Sequence, residues 1–317
     1  MPRKRTKWIL IALPLIFVLG ITYIVGSSYF EHRRLVEQEK EAYPAPGDLV
    51  EVNDKGDTLH VYAEGKGEKT LVFLAGHGTA SPLYDFKVLF ERLSEDYRIA
   101  VVERAGYGWS DITSSPRDID TVLEETRRAL QLAGEETPYV LLPHSMAGLE
   151  AIYWAALHPE EVEAIVALDA LVPGYIEKSE EEKSMSRMIT FLARSGLIRQ
   201  GPDVFESNFH AMKKGLLTDE EAEVARTLFY RRVYTKNMWA EWKSLEANSE
   251  LVSAQAKPEV PYYAFISSQN EEDWWQESIT SYVKAIDGEY SILDGGHYIH
   301  LDYPDRIAEK VRELIES

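Results

Sequence analysis

The sequence predicts an α/β protein with a mostly parallel central sheet that helices cover on both faces. First, 317 residues with 45% hydrophobic and 27% charged side chains are the composition of a folded globular protein. Second, short, wholly apolar strands alternate with helical segments, which is typical of a buried parallel sheet. Third, the alternation stops between Pro173 and Pro258, where amphipathic patterns predict an inserted all-helical subdomain.

The N-terminal segment is predicted to be a membrane anchor. Residues 8–30 contain no charged side chain. At ~1.5 Å per residue, a helix over this run reaches roughly 34 Å, enough to cross a ~30 Å hydrocarbon core. Four cations precede it, at Arg3, Lys4, Arg5 and Lys7. They favour a cytoplasmic N-terminus, so that residues 1–30 hold this terminus and the transmembrane anchor, and everything after Phe30 lies outside the cytoplasm.

A cleaved signal peptide is the alternative interpretation of this segment. The apolar core of such a leader is usually ~7–15 residues long and ends at a small-residue cleavage site. The run here is longer, and Val25-Gly-Ser-Ser28 is only a fair match to a cleavage site. We therefore expect an uncleaved, single-pass anchor in the cell membrane.

Charge and cysteine content exclude several functions. Residues 1–30 hold four of the 34 Lys and Arg and no acid, which leaves 34 − 4 = 30 cations against 53 acids, a net charge of −23. A domain with this charge repels nucleic acid and anionic lipid headgroups. We therefore expect the protein to contact its membrane partner through the apolar N-terminal helix and not through a basic surface. The chain has no cysteine, which rules out disulfides, zinc-thiolate sites and a cysteine nucleophile.

The remaining elements follow in order. Residues 31–47 are predicted to form a charged, helix-compatible stalk that is broken at Tyr43-Pro-Ala-Pro-Gly47. A β-hairpin begins the core, which is predicted to span residues 48–172 and 259–317. The helical cap is predicted between these two parts, at 173–258. The predicted strands are 49–52, 58–63, 70–75, 98–103, 139–142, 162–168, 261–266 and 289–293, and the core helices lie near 83–94, 119–133, 146–157 and 305–316. We find no internal repeat.

The stretch Pro138-Tyr-Val-Leu-Leu-Pro-His-Ser-Met-Ala-Gly148 has the strongest chemical signature. An apolar strand runs into Ser145, and a helix begins directly after it. A serine at such a turn has an exposed hydroxyl, which is how a weak nucleophile is presented to a substrate and a base. The alternative role for Ser145 is to cap the helix that follows.

With three further motifs, the chain resembles the α/β-hydrolase superfamily over about residues 48–317, with the helical insert in the place of the family's variable cap. The four motifs, each at a strand end and in the family's order, are Ala75-Gly-His-Gly78, Arg104-Ala-Gly-Tyr-Gly-Trp-Ser-Asp111, His144-Ser-Met-Ala-Gly148 and Gly295-Gly-His297. The family's elbow has glycine two residues before and two after the serine. Here those positions hold Pro143 and Ala147.

The resemblance implies that Ser145 is the nucleophile and that His297, in the glycine loop after the last strand, is its base. It also implies an oxyanion hole formed by the backbone N–H groups of His77 and Met146. His300 follows three residues after His297, and the pair would suit a metal, but no third ligand cluster accompanies them. No metal or organic cofactor is expected. His32, His60 and His210 are expected at the surface or in the cap.

The acid of the triad has two candidate positions. In most of the family it follows the strand that is here Tyr262 to Ile266, and that position holds Asn270. Glu271, Glu272 and Asp273 lie next to it. Asp169 is the alternative, because pancreatic-type lipases and some dehalogenases in this superfamily take their acid from the preceding strand end. We assign Asp169, and Asp273 with its neighbours stays open.

These observations predict a membrane-anchored serine hydrolase that cleaves a carboxylic ester, small or lipid-derived, through an acyl-enzyme. Peptidase, thioesterase, lactonase or acyltransferase chemistry uses the same constellation. A non-catalytic binding or signalling protein on this fold is the alternative from another class, and Pro143 and Asn270 are the features that favour it. Trp239 with Trp242, and Trp274 with Trp275, are expected to pack in the core rather than line an acyl pocket. Oligomeric state and substrate do not follow from the sequence.

Overall fold

The computed structural model describes residues 2–174, 180–201, 204–255, 257–270 and 273–316. Eight strands form one sheet: β1 Asp48–Glu51, β2 Thr58–Glu64, β3 Thr70–Leu74, β4 Arg98–Glu103, β5 Tyr139–Pro143, β6 Val162–Leu168, β7 Tyr262–Ser267 and β8 Glu289–Leu293. Their order across the sheet is β1-β2-β4-β3-β5-β6-β7-β8. The first three pair antiparallel and the rest parallel, which confirms the predicted fold class.

The helices of the core cover both faces of this sheet. They are α2 Pro82–Phe90, α3 Ile119–Leu132, α4 Ala147–Leu157, α10 Asp273–Ala285, α11 Ile299–Asp302 and α12 Pro304–Glu316. The side chains of the central strands alternate between two apolar clusters, one packed under α3, α4 and α10 and the other under α2 and α12. Residues such as Leu71 and Val72 are completely buried, one on each side. Burial on both faces is why these strands read as unbroken apolar runs.

The cap lies between β6 and β7. Its described helices are α5 Glu180–Arg194, α6 Val204–Asn208, α7 His210–Lys213, α8 Asp219–Arg232 and α9 Lys236–Ser253, with a 3₁₀ turn at Leu197–Gln200. A capping box at Thr218 and Glu221 starts α8, and the Thr235 hydroxyl caps α9. A third apolar cluster, centred on Phe205, Phe209 and Phe229, joins the cap to α2.

The N-terminal helix, α1, runs from Pro2 to Ala42. Its segment from Ala12 onward is the one helix of the described chain that is long and apolar enough to cross a membrane, with a mean hydropathy of 1.8 in its most apolar window. The side chains from Leu13 to Ile24 are mostly exposed, as for Phe17 at 68%. Farther along, Arg199 of the cap binds Glu39 of α1 with two hydrogen bonds of 2.7 and 2.8 Å. The stalk is therefore a continuation of α1 that packs against the cap.

Candidate active site

Ser145 lies at the tip of a tight turn between β5 and α4. Its φ of 54° is in the left-handed region, which a non-glycine residue adopts only when its surroundings hold it there. The N–H of His144 donates to the Leu74 carbonyl at 2.9 Å and so ties this turn to β3. The backbone therefore projects the Ser145 side chain at the carboxyl edge of the sheet, as a nucleophile requires.

Pro143 fits the end of β5 because the ladder has a gap at that point. The pairing of β5 with β6 ends at Leu141, and it resumes only as a single bridge between His144 and Leu168. Neighbouring residues of a strand point their N–H groups to opposite sides, so the position of Pro143 faces β6 while His144 faces β3. The missing N–H of Pro143 consequently breaks no bond of the ladder.

Two glycines give the turn its room. A Cβ on Gly76 would lie 2.6 Å from Ser145 Cβ and 3.1 Å from Ser145 Oγ, so only glycine leaves space over the serine. A Cβ on Gly148 would lie 2.2 Å from the Leu171 carbonyl oxygen, where α4 passes the loop after β6. The close approach of helix and loop thus falls on Gly148, and Ala147 fits in the core with 1% of its surface exposed.

Asp169 lies within hydrogen-bond distance of His297. Its Oδ2 is 2.7 Å from His297 Nδ1, and the carboxylate also accepts from the N–H and the hydroxyl of Ser267, both at 2.8 Å. Asp169 is fully buried and has a φ of 45° at the end of β6. A buried carboxylate with three hydrogen bonds can orient an imidazole and stabilise its protonated form.

The other candidate positions for the acid follow β7 and reach the start of α10. Asn270 follows β7 and lines an open cleft of about 600 Å3 that reaches His297. Glu271 and Glu272 lie outside the described residues, and Asp273 is described only through the backbone of α10. Among the described side chains, the carboxylate that contacts the His297 ring is that of Asp169.

His144 lies between Ser145 in the chain and His297 in space, and no hydrogen bond joins the Ser145 hydroxyl to the His297 ring. The His144 imidazole stands next to Ser145 in the chain, lies 4.6 Å from the His297 ring between centroids, and approaches the His297 carbonyl oxygen at 3.1 Å through Nε2. The Ser145 hydroxyl makes no hydrogen bond to any described residue. It is therefore available to a substrate and a base, and the hydrogen bonds of such a site often tighten only in the complex.

Two backbone N–H groups beside Ser145 have no acceptor among the described residues. They belong to His77, in the loop after β3, and to Met146, directly before α4. Arg104 Nη2 donates to the Gly76 carbonyl at 3.4 Å. Because the C=O and N–H of a trans peptide point in opposite directions, this bond turns the His77 N–H away from Arg104. Free, fixed N–H groups at this position are the elements of an oxyanion hole.

Arg104 is the centre of a buried ionic cluster that the sequence did not predict. It lies 3.1 Å from the Glu150 carboxylate on α4 and 3.4 Å from the Glu241 carboxylate on α9. The Tyr107 hydroxyl also donates to Glu241, at 2.5 Å. Burial raises the pKa of Glu241, whereas the Arg104 cation opposes that shift. The cluster joins the cap, the core and the turn at Gly76.

Aromatic side chains contact both ends of this arrangement. Trp242 on α9 lies 5.5 Å from the His77 ring, and Trp275 on α10 meets the His297 ring edge-on at 5.3 Å. Trp274 and Trp242 also pack against the main core cluster, while Trp239 lies under Lys243. Packing was the expected role for all four, and one member of each pair additionally touches a candidate site residue.

The remaining histidines near the site are held in neutral or paired states. Burial lowers the pKa of His144 well below its ordinary value, and burial with the nearby Arg104 cation lowers the pKa of His77 to about 4. His300 is fully buried with its Nε2 3.2 Å from Asp85, so it does not share a ligand position with His297. Within the described ranges, the residues close enough to share a metal ion are His158, Glu160 and Glu161 on the surface.

Comparison with known proteins agrees with this architecture. A family described as alpha/beta hydrolase fold matches residues 69–304. The uncharacterized protein YbdG of Bacillus subtilis (strain 168) is 33% identical over 99% of both chains.

Solved structures of the same shape include VrEH2, with a TM-score of 0.67 and 17% identity over 85% of this chain and 98% of that one. A thermophilic esterase from Thermogutta terrifontis has a TM-score of 0.63 and 16% identity over 84% and 97%. At these identities the structures show the shared fold alone, whereas the family match covers most of the sequence. The chain therefore belongs to the α/β-hydrolase fold family.

Proposed function

We propose that this hydrolase-family protein is a serine esterase that cleaves carboxylic esters through an acyl-enzyme. Ser145 attacks the acyl carbonyl, His297 takes the serine proton and returns it to the leaving alcohol, and water then releases the acid by the same route. Asp169 orients His297 and stabilises its protonated form. The N–H groups of His77 and Met146 stabilise the negative charge that develops on the carbonyl oxygen.

One observation carries this proposal: a serine with a strained backbone and a histidine bound to a carboxylate both lie at the carboxyl edge of the sheet. A serine that only capped α4 would accept a hydrogen bond from the first turn of the helix, and the Ser145 hydroxyl accepts none from the described residues. A carboxylate nucleophile, by contrast, is not available at position 145. The serine therefore favours acyl transfer over alkyl-enzyme chemistry.

A fluorophosphonate probe tests this proposal. We expect the detergent-solubilised full chain to be labelled covalently, and Ser145→Ala and His297→Gln to abolish labelling. Ser268→Ala is the matched control, because the exposed Ser268 hydroxyl donates to Asp294 and contacts no candidate site residue. Absent labelling of a folded wild type, or labelling that persists in Ser145→Ala, would exclude the mechanism. A series of acyl esters of increasing chain length, run on wild type and Ser145→Ala, would then report pocket depth.

We also propose that α1 anchors the enzyme in the cell membrane with the hydrolase domain outside the cytoplasm. The contacts around Ser28, in the segment that resembles a cleavage site, support retention of the helix. Ser28 is buried, its hydroxyl accepts a hydrogen bond from Gln200 at 3.1 Å, and Gly196 packs on its carbonyl. Removal of the segment up to Ser28 would strip these contacts from the cap. The mass of the mature chain in membranes, intact or shortened at the N-terminus, decides between anchor and leader.

A further inference from the structure

Helix α5 of the cap exposes an apolar and cationic face. Met188 is 54% exposed and Phe191 is 53% exposed, and Arg187 and Arg194 are exposed beside them. The positions 187, 191 and 194 are separated by one turn each, so they form one side of the helix. We refer to Arg187, Met188, Phe191 and Arg194 as the α5 face. Neighbouring exposed apolar side chains flanked by cations make this face a candidate interaction surface.

The position of α5 relative to α1 indicates which partner this is. Gly196, just after α5, packs directly on α1, because a Cβ there would lie 2.4 Å from His32 Cβ and 2.9 Å from the Ser28 carbonyl oxygen. Ser28 belongs to the uncharged run that ends at Phe30. Phe191 precedes Gly196 by five residues, so it lies within roughly 8 Å of this contact along the helix.

The cap therefore meets α1 where the apolar run ends. Val25 and Gly26 are half-buried and Ser28 is buried, whereas the earlier part of the run is exposed. The polar layer of each leaflet is only ~5–8 Å thick. The cap segment at Gly196, which packs on the last turn of the membrane-spanning run, must lie in or against that layer, and α5 leads directly into this segment.

We propose that α5 is an interfacial helix whose α5 face rests on the lipid surface, a proposal that depends on the membrane anchoring proposed above. Met188 and Phe191 enter the boundary between headgroups and acyl chains, and Arg187 and Arg194 meet the lipid phosphates. The two arginines stand out because the body of the chain carries a net charge of −23, from 30 cations and 53 acids. The cap, whose His210 and Lys213 line the cleft at His297, is then held at the bilayer by two contacts.

The absence of cysteine makes a site-specific test direct. Single variants Phe191→Cys, Ile16→Cys and Leu132→Cys carry an environment-sensitive fluorophore in the full chain, reconstituted in vesicles of phosphatidylcholine and phosphatidylglycerol. Ile16, 65% exposed in the apolar run, reports the anchor. Leu132, 46% exposed at the end of α3, is the matched control away from the cap. Spin-labelled lipid is the quencher.

We expect the labels at positions 191 and 16 to lose most of their fluorescence and the label at 132 to keep it. Quenching at 16 with none at 191 beyond the level at 132 would overturn the α5 proposal and leave the anchor standing. No quenching at 16 would overturn the anchor itself. A label at 191 that is shielded from aqueous iodide but not quenched by lipid would show that protein, and not lipid, covers this face and would also overturn the proposal. On vesicles, we expect α5 of the wild type to be protected from protease. A double variant, Met188→Ser with Phe191→Ser, that loses this protection but keeps its esterase activity on soluble esters would support the proposal.

Discussion

Replacing Arg104 by methionine is expected to destabilise the protein severely. Methionine keeps most of the apolar volume but leaves Glu150 and Glu241, each 3% exposed, without the cation that lies between them. Removing one partner of a buried ion pair costs about 3–5 kcal/mol. A typical domain has only ~5–15 kcal/mol of unfolding free energy in total, so the loss is a large share of the stability.

The pH dependence of this loss distinguishes electrostatics from lost packing. Without Arg104, the largest effect that opposes burial is gone, so burial raises the pKa of Glu241 further above its value in the unfolded chain. A group whose folded pKa is raised contributes stability below its unfolded pKa and loses it as the pH rises through the folded value. The Arg104→Met deficit should therefore shrink toward acidic pH, relative to wild type, and be largest at neutral and alkaline pH.

Urea unfolding of the detergent-solubilised chain, followed by tryptophan fluorescence, measures this effect. Arg312→Met is the matched control, because its partner Asp96 is 49% exposed and such pairs contribute only about 0–1 kcal/mol. In a background of Glu150→Gln and Glu241→Gln, Arg104→Met should cost much less than in wild type. A deficit equal to that of Arg312→Met, or one that does not change with pH, would refute the reasoning.

Three further predictions concern the site. Gly76→Ala should reduce fluorophosphonate labelling by more than about 100-fold without changing the circular dichroism, because the new Cβ meets Ser145 Cβ at 2.6 Å. Retained labelling would contradict the clearance argument, and Gly20→Ala, with open space around it and an ordinary helical backbone, is the control for glycine loss. Asp169→Asn should lower kcat by about 10³–10⁴-fold while Asp273→Asn stays near wild type, and the reverse result would move the acid to α10. Finally, the unfolding free energy should fall as the pH drops from about 6.5 toward 4. Burial lowers the pKa of His77 to about 4 and the pKa of His144 well below its usual value, so protonation favours the unfolded chain. His77→Gln should make the unfolding free energy from urea titrations less dependent on pH, and an unchanged pH dependence would exclude His77 as a contributor.

Local sequence patterns predicted the sheet and its helices because each central strand is buried on both faces. Apolar runs such as Leu71–Leu74 admit few other structures, and their alternation with helices sets the order of elements. The strand-to-helix turn at Ser145 and the histidine loop at His297 follow from the same regularity, since parallel strands end at one edge.

Contacts between distant segments could not be predicted in this way. Nothing in the sequence pairs Arg104 with Glu241 of the cap, or Ser267 with Asp169, because both contacts depend on how separate elements pack. His60 was expected at the surface, and this was wrong. It is fully buried on β2, with Nδ1 2.9 Å from the Glu103 carboxylate, and a lone polar residue in a strand does not reveal a buried partner on another strand.

The attachment of α9 limits how the cap can open for a substrate. Asn237 bonds the backbone of Thr113, Glu241 bonds the Arg104 cluster, and Asn248 and Ser249 accept from the N–H groups of Ile119 and Gly174. Lifting this helix as a lid would break all four and expose a buried carboxylate without its cation. The hinge of any opening motion must therefore lie on the N-terminal side of α9. The cleft at His297, which α7 lines with His210 and Lys213, is then the open approach to the site, and Trp242 stays packed beside His77.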